Sequence, residues 1–103
     1  MSEPMRIKAV LTDDLVEVKL MIRHPMESGM RRDENGKKIP SHFIETLEVK
    51  CNQRIVFDAY LGMAVSENPF IMFSFKGGAK GDVLEATWKD NRGDSRTDKT
   101  AIS

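Results

Sequence analysis

Residues 16–23 carry the feature that most constrains how this chain can fold, because apolar and charged side chains alternate along them. The apolar positions are Val16, Val18, Leu20 and Ile22. Between them every position except Met21 is charged. Successive side chains of an extended strand point to opposite faces, so this pattern predicts a strand with one buried face. Burial on one face only is typical of antiparallel sheets.

Six further short segments alternate in the same way or are apolar, and turn residues separate them. With the strand at 16–22, we expect strands at 5–11, 43–51, 55–61, 70–75, 84–89 and 95–102. No long stretch repeats with the helical period. The pattern therefore predicts an all-β fold, an immunoglobulin-like antiparallel β-sandwich of about seven strands, forming one domain over residues 1–103.

Two of these strands flank a predicted two-residue hairpin at Asn52-Gln53. In the strand before it, we expect the buried face to hold Phe43, Leu47, Val49 and Cys51. In the strand after it, the corresponding face should hold Ile55, Phe57, Ala59 and Leu61. Cys51 is the single cysteine, which excludes an internal disulfide, and its phase predicts a core thiol.

The segment at 70–75 differs from the others because it is apolar on both faces. Phe70 and Met72 share one face, while Ile71, Phe73 and Phe75 share the other. A strand of this kind needs cover on both sides. In a two-layer sandwich the second cover is another chain or a folded-over loop. We therefore predict that Phe70 and Met72 contact a partner, since apolar surface left on a small domain marks an interface.

Residues 24–44 form a long segment that fits neither strand nor helix. Loops of this length are functional or disordered. Met26, Met30 and Ile39 are apolar and predict an ordered loop pinned to the sandwich, with a tight turn at residues 33–36. We predict that the loop is a docking element. The candidate interface residues beside Phe70 and Met72 are His24, Pro25, Met26, Asn68 and Pro69.

The same loop suggests an alternative function, a small copper-binding sandwich. Its soft donors are His24, Met26 and Met30, with His42 and Cys51 as possible additions. The competing interpretation is that the methionines fill gaps and the histidines bond to the backbone. We favour that interpretation and expect no metal or cofactor site. No nucleophile has a credible base beside it, so we expect neither catalytic residues nor an enzyme.

Charge and hydropathy exclude two classes of partner. The chain has 16 basic and 16 acidic residues, and the two signs are interspersed. We therefore expect neither nucleic-acid binding nor a basic membrane patch. The longest apolar run, at residues 70–73, is far shorter than the roughly 20 residues that span a bilayer. The first residues lack the pattern of a signal peptide, so the residues alone predict a cytoplasmic protein.

Four motifs, in order along the chain, are shared with a known family. They are His24-Pro25-Met26-Glu27 with Gly29, Asn35-Gly36-Lys37 leading to Ile39-Pro40 and His42-Phe43-Ile44, Asn68-Pro69-Phe70, and Thr87-Trp88-Lys89-Asp90 with Gly93. Together these motifs resemble the SoxZ family over nearly the whole chain. One departure is Asn52-Gln53, where relatives tend to have Asn-Gly.

The resemblance implies a non-catalytic subunit of the SoxYZ carrier complex, with an immunoglobulin-like sandwich. Its partner would be a SoxY-like subunit that carries thiosulfate-derived sulfur on a glycine-flanked C-terminal cysteine. Transient contacts with periplasmic Sox enzymes are also implied. The resemblance further implies a periplasmic protein exported with its partner, which replaces the cytoplasmic expectation. Residues 100–103 contain no cysteine, so we expect this chain to be the subunit that does not carry sulfur.

Overall fold

A computed structural model describes residues 3–103 as seven strands in two antiparallel sheets, with no helix in that range. The strands are β1 (Arg6–Thr12), β2 (Leu15–Met21), β3 (Ile44–Cys51), β4 (Arg54–Tyr60), β5 (Phe70–Lys76), β6 (Val83–Asp90) and β7 (Ser95–Ala101). One sheet has the order β1-β2-β5 and the other β4-β3-β6-β7. The prediction of an immunoglobulin-like β-sandwich is confirmed. Residues 3–103 contain no helix long and apolar enough to cross a membrane.

The core lies between the two sheets and confirms the alternation along β2. Val16, Val18 and Leu20 are almost completely buried, as is Ile22 just after the strand. The facing sheet contributes Leu47, Val49, Leu84, Ala86 and Trp88. Full burial of an aliphatic side chain stabilises a fold by roughly 1.5–3 kcal/mol, so these contacts specify which face of each strand is inward.

Irregularities in pairing correct the predicted faces of β3 and β4. The register between β3 and β6 shifts between Ile44 and Thr46, and that between β3 and β4 shifts between Val49 and Lys50. Each shift inserts one extra residue and reverses the faces beyond it. Ile44 is therefore buried where Phe43 was expected, and Phe43 is half-buried. Ile55 is 51% exposed, so its predicted core position was wrong.

The hairpin between β3 and β4 forms at the predicted residues. Asn52 and Gln53 both have positive φ, 51° and 68°, as a two-residue turn of this kind requires. The preceding Cys51 is buried, which confirms its predicted place in the core. Burial raises the pKa of its thiol, and the nearby charge of Asp82 acts in the same direction. The side chain is therefore a protonated core residue.

Residues 24–44, which we call the arm, fold into an irregular hairpin. Two isolated antiparallel bridges hold it, one between Glu27 and His42 and one between Arg32 and Lys38. At its tip, the Asp33 carboxylate accepts hydrogen bonds from the backbone N–H groups of residues 35 and 37. The predicted ordered loop and its tight turn are thus confirmed.

Three apolar residues of the arm were predicted to pack against the sandwich, and the prediction is wrong for one of them. Met26 is buried and Ile39 is half-buried, but the Met30 side chain is 78% exposed. The Met26 sulfur accepts a hydrogen bond from the Ile44 N–H at 3.3 Å, which ties the start of the arm to β3. Met30 lies further along the arm, beyond the Glu27–His42 bridge, and does not reach the core.

Candidate functional site

Two histidines and one carboxylate meet at the base of the arm. Nε2 of His24 lies 3.1 Å from Oδ2 of Asp90, and Nε2 of His42 lies 2.8 Å from the same oxygen. The two imidazole rings meet edge to face, with their centroids 4.5 Å apart. His24 and Asp90 are buried, and His42 is half-buried. The cluster therefore joins both ends of the arm to the last residue of β6.

Hydrogen bonding fixes which nitrogen of His24 carries the proton. Its Nδ1 accepts the backbone N–H of Met26 at 3.1 Å, so Nδ1 has no proton of its own. Nε2 therefore holds the proton of the neutral ring and donates it to Asp90. Burial lowers the pKa of His24 below its ordinary value of 6.5, outweighing the opposing hydrogen bond to Asp90. The ring is neutral in the folded protein at pH 7.

Asp90 is buried, and both of its oxygens are occupied. Its Oδ1 accepts the backbone N–H groups of Arg92 and Asp94, at 3.0 and 2.9 Å. Burial by itself raises the pKa of Asp90, but hydrogen bonds from both imidazoles and both backbone groups reverse that effect and lower it. A charged carboxylate with four donors is a stable buried group.

The turn after β6 clamps the arm from the other side. Asn91 exchanges hydrogen bonds with the backbone of Phe43, and its amide donates to the Ser41 hydroxyl at 3.1 Å. The Arg92 guanidinium donates to the carbonyl oxygen of Ser41 at 3.1 Å. The base of the arm is thus held by side chains of residues 90–92, in addition to its own bridges.

The cluster contains donors that could hold a metal ion, and they differ from the predicted copper set. His24, His42 and Asp90 offer one ligand atom each, all within 4.8 Å of one another. The third donor is the Asp90 carboxylate, whereas Met30 of the predicted copper set is largely exposed. A metal-bound imidazole almost always donates its other N–H to an acceptor. Nδ1 of His24 instead faces a donor, so binding through Nε2 would require an imidazolate. The residues fit a proton-holding cluster better than a metal ion.

The sequence analysis named Asp90 and Trp88 only within a motif shared with the family and did not predict them as site residues. Leu84, Ala86 and Trp88 alternate inward along β6, and the next inward position is Asp90. A carboxylate continuing an apolar face is a signal that should have identified a buried polar site. The Trp88 ring meets His24 edge to face, with centroids 5.2 Å apart, and forms the floor of the cluster.

The predicted interface residues divide by burial. His24, Met26 and Pro69 are buried, so any contribution that they make to partner binding is indirect. Pro25 and Asn68 are exposed beside them. The Asn68 side chain accepts the His24 backbone N–H at 3.0 Å, and its own backbone N–H donates to the His24 carbonyl, also at 3.0 Å. The cluster thus supports the turn that leads into β5.

Phe70 and Met72 lie on the outer face of the sheet β1-β2-β5, where they are 54% and 64% exposed. Met21 pairs with Phe70 and adds to the same apolar surface. A shallow depression of about 230 Å³ separates Phe70 from β1, and its walls are Arg6, Ile7, Lys8, Lys19 and Met21. On the inner face Phe75 is buried, and Ile71 and Phe73 are half-buried. The prediction that β5 is apolar on both faces is confirmed.

Comparison with protein-family models matches residues 5–101 to the family described as sulphur oxidation protein SoxZ. A search of curated proteins found no match. The matched range includes the arm, the histidine cluster and β5, which are the places where the sequence motifs fall. Because the match extends from the residue before β1 to the last residue of β7, the chain belongs to the SoxZ family of sulphur oxidation proteins.

Proposed function

We propose that this chain is the non-catalytic subunit of a SoxYZ-type carrier complex. In this role it supports a SoxY-like subunit, whose C-terminal cysteine bears sulfur intermediates during thiosulfate oxidation. It works as one immunoglobulin-like domain in the periplasm and is exported with its partner. Membership of the SoxZ family supports a role in sulfur oxidation within a Sox complex. The pairing with this carrier, the compartment and the absence of catalysis are part of the proposal.

The apolar outer face of β5 is the observation that carries the proposal. Phe70 and Met72 expose more than half of their side-chain surface in a strand whose inner face already packs on the core. Nothing in the folding of this sheet requires large apolar side chains on its outer face. Aromatic and methionine side chains are enriched at protein interfaces, so a partner is the simplest account of them.

The histidine cluster fits a supporting role. Both imidazoles donate to the same buried carboxylate, and no Ser, Thr or Cys side chain within residues 3–103 bonds to either ring. The cluster therefore holds no activated nucleophile in that range. Its effect is to fix the arm and the turn at Asn68, which positions the start of β5.

Binding to a SoxY-family carrier subunit tests this function directly. Phe70→Asp and Met72→Asp each place a charge in the proposed contact, so we expect affinity to fall about 30-fold or more, as for an interface hot spot. Tyr60→Asp is a matched control, because Tyr60 is 77% exposed on the opposite sheet. Titration calorimetry with the purified carrier measures all three. Equal affinity for Phe70→Asp, Met72→Asp and the unaltered chain would move the contact elsewhere, and no binding at all would contradict the proposed function.

A further inference from the structure

The register of β5 shows which of its backbone groups face away from β2. The Ile22 N–H donates to the Pro69 carbonyl at 3.0 Å, which extends the β2–β5 ladder by one residue and marks a hydrogen-bonded pair. Such pairs alternate with non-bonded pairs in an antiparallel ladder. Ile71, Phe73 and Phe75 therefore bond to β2, and the backbone groups of the residues between them point outward.

The outward-pointing residues are Phe70, Met72, Ser74 and Lys76. The Arg54 guanidinium donates to the Lys76 carbonyl at 3.0 Å from outside the sheet. This hydrogen bond confirms that the backbone of Lys76 points away from β2. For the other three, no partner of the outward N–H and C=O groups occurs within residues 3–103. β5 is the last strand of its sheet. Its outer edge is therefore an unpaired ladder of backbone donors and acceptors.

The outer edge of β5 also lacks the features by which proteins protect an edge strand from pairing with another chain. Edge strands are commonly guarded by charges, bulges or an inserted proline. β7 carries Arg96, Asp98 and Lys99, and β4 has a bulge at Val56. From Phe70 to Phe75 the sequence of β5 is uncharged and has no bulge in its pairing with β2.

Apolar surface continues from the edge of β5 into the seam between the sheets. Phe73 stacks on Phe57 of β4 with ring centroids 4.4 Å apart, and both rings are half-buried. A strand placed beside β5 would lie over this pair on one face and beside Phe70 and Met72 on the other. Both rows of its alternating side chains would then meet apolar surface.

Charge indicates the chemistry of such a strand. The outer face beside Phe70 and Met72 carries Arg6, Lys8 and Lys19, which the register places in the same rows. Glu17 is the acidic residue further along this face, in the row of Ser74. The surroundings of the apolar surface are therefore basic, and they complement an acidic partner.

We propose that the carrier subunit binds by adding one of its own strands to the free edge of β5. That strand is extended and apolar where its side chains lie beside Phe73 on one face and beside Phe70 and Met72 on the other. It belongs to an acidic surface that complements the basic residues of β1 and β2 further across the outer face. Its backbone completes the ladder at Phe70, Met72 and Ser74, which no compact side chain or small molecule would do along a whole strand. This inference rests on the proposed function and specifies its mode of contact.

Amide hydrogen exchange, read residue by residue, tests the mode of binding. In the free chain the N–H groups of Phe70, Met72 and Ser74 should exchange rapidly, and those of Ile71 and Phe73 slowly. Saturation with a SoxY-family carrier should slow the first group by at least about tenfold and change the second much less, because only the first group gains partners. The inward amides of the same strand are the internal control.

A substitution at Ser74 provides an independent test. Ser74→Pro removes one outward N–H and blocks the edge, while leaving every bond to β2, and proline is tolerated at such positions. Ser74→Thr is the matched control, since it keeps the N–H. We expect the proline variant to bind the carrier at least about tenfold more weakly, with both variants retaining the unfolding midpoint of the unaltered chain. If the proline variant does not fold, the exchange pattern of the unaltered chain decides.

The outcomes separate the mode of contact from the function. A complex in which the three outward amides still exchange rapidly, or equal binding by a folded Ser74→Pro variant, would overturn strand addition and leave the proposed function standing. Failure of any complex to form would overturn both. Protection that grows with concentration in the isolated chain would identify a second copy as the occupant, and would overturn the assignment to the carrier.

Discussion

The two edges of the sheet β1-β2-β5 are treated in opposite ways. At β1, the segment after β7 covers the edge: Ser103 donates its N–H to the Ala9 carbonyl at 3.0 Å and accepts the Leu11 N–H at 2.9 Å. The Met5 N–H donates to the Asp98 carboxylate at 2.9 Å. At β5 the edge is apolar, and among residues 3–103 its outward backbone groups accept one hydrogen bond, from Arg54 to the Lys76 carbonyl.

The comparison shows that this sandwich does not leave every sheet edge unpaired: the β1 edge is covered and the β5 edge is open. The same chain closes the β1 edge with the backbone of Ser103 and the carboxylate of Asp98, and the neighbouring Ile102 is buried in the core. We infer a division of labour in which the β1 side stabilises the domain and the β5 side binds the partner. Substitutions on the two sides should therefore affect different measurements.

The largest effect on stability is expected at Ile102, which is buried where the chain crosses from β7 to the edge of β1. Ile102→Ala should lower the free energy of unfolding by about 2–5 kcal/mol, because it leaves a cavity in the core. Urea denaturation measures this loss. Affinity for the carrier should not change at a temperature where the variant is folded.

Ile55→Ala is the matched control for this experiment, since Ile55 is half exposed on β4. Its cost should stay within about 0.5 kcal/mol. A loss of carrier binding by the folded Ile102→Ala variant, comparable to that of Phe70→Asp, would contradict the division between the two sides.

A smaller effect is expected from the histidine cluster at the end of the sandwich. Burial, assisted by the nearby His42, lowers the pKa of His24 below 6.5, so the unfolded chain binds the proton more readily than the folded one. The contribution of neutral His24 to stability is complete above pH 6.5. It declines as the pH falls from there towards the folded pKa, with a limiting slope of about 1.4 kcal/mol per pH unit.

Urea denaturation across this pH range measures the slope, and His24→Gln should remove the part that His24 contributes. Protonation also replaces the acceptor at Nδ1 by a second donor facing the Met26 N–H, so the start of the arm should loosen. Identical slopes in the variant and the unaltered chain would show that His24 is not held neutral by its surroundings.

The smallest effect on stability is expected on the open side. Phe70→Asp replaces a side chain that is more than half exposed, so the free energy of unfolding of the isolated chain should change by no more than about 0.5 kcal/mol. Thermal melting of the variant and the unaltered chain checks this. A large destabilisation would mean that Phe70 serves the fold, and the outer face of β5 could not then be separated from the core.

The sequence predicted the parts of this fold that depend on regular alternation. The buried face of β2, the core position of Cys51 and the doubly apolar β5 follow from a period of two, which needs no knowledge of neighbouring strands. The predictions for Phe43 and Ile55 failed because bulges in β3 and β4 insert one residue. A bulge is stabilised by contacts that exist only in the folded sheet, so the local sequence does not indicate where it occurs.

The site was harder to predict than the fold. The sequence brought His24 and His42 together because they flank one loop, but it missed Asp90, which lies 48 residues beyond His42 along the chain. Met30 was expected to pin the arm because it is apolar, and exposure of such a residue depends on how far the arm extends. The open edge of β5 could not be inferred either, since strand order is a property of the tertiary structure.

The central claim is that the outer side of β5 becomes covered when the carrier binds. Methionine oxidation by hydrogen peroxide tests it without any substitution, because Met72 and Met30 are both largely exposed and react as natural probes. In the complex with a SoxY-family carrier, Met72 should be oxidised at least about tenfold more slowly than in the free chain, while Met30 at the far part of the arm should change much less. Mass spectrometry of the two peptides measures both rates. Undiminished oxidation of Met72 in a fully formed complex would contradict the account.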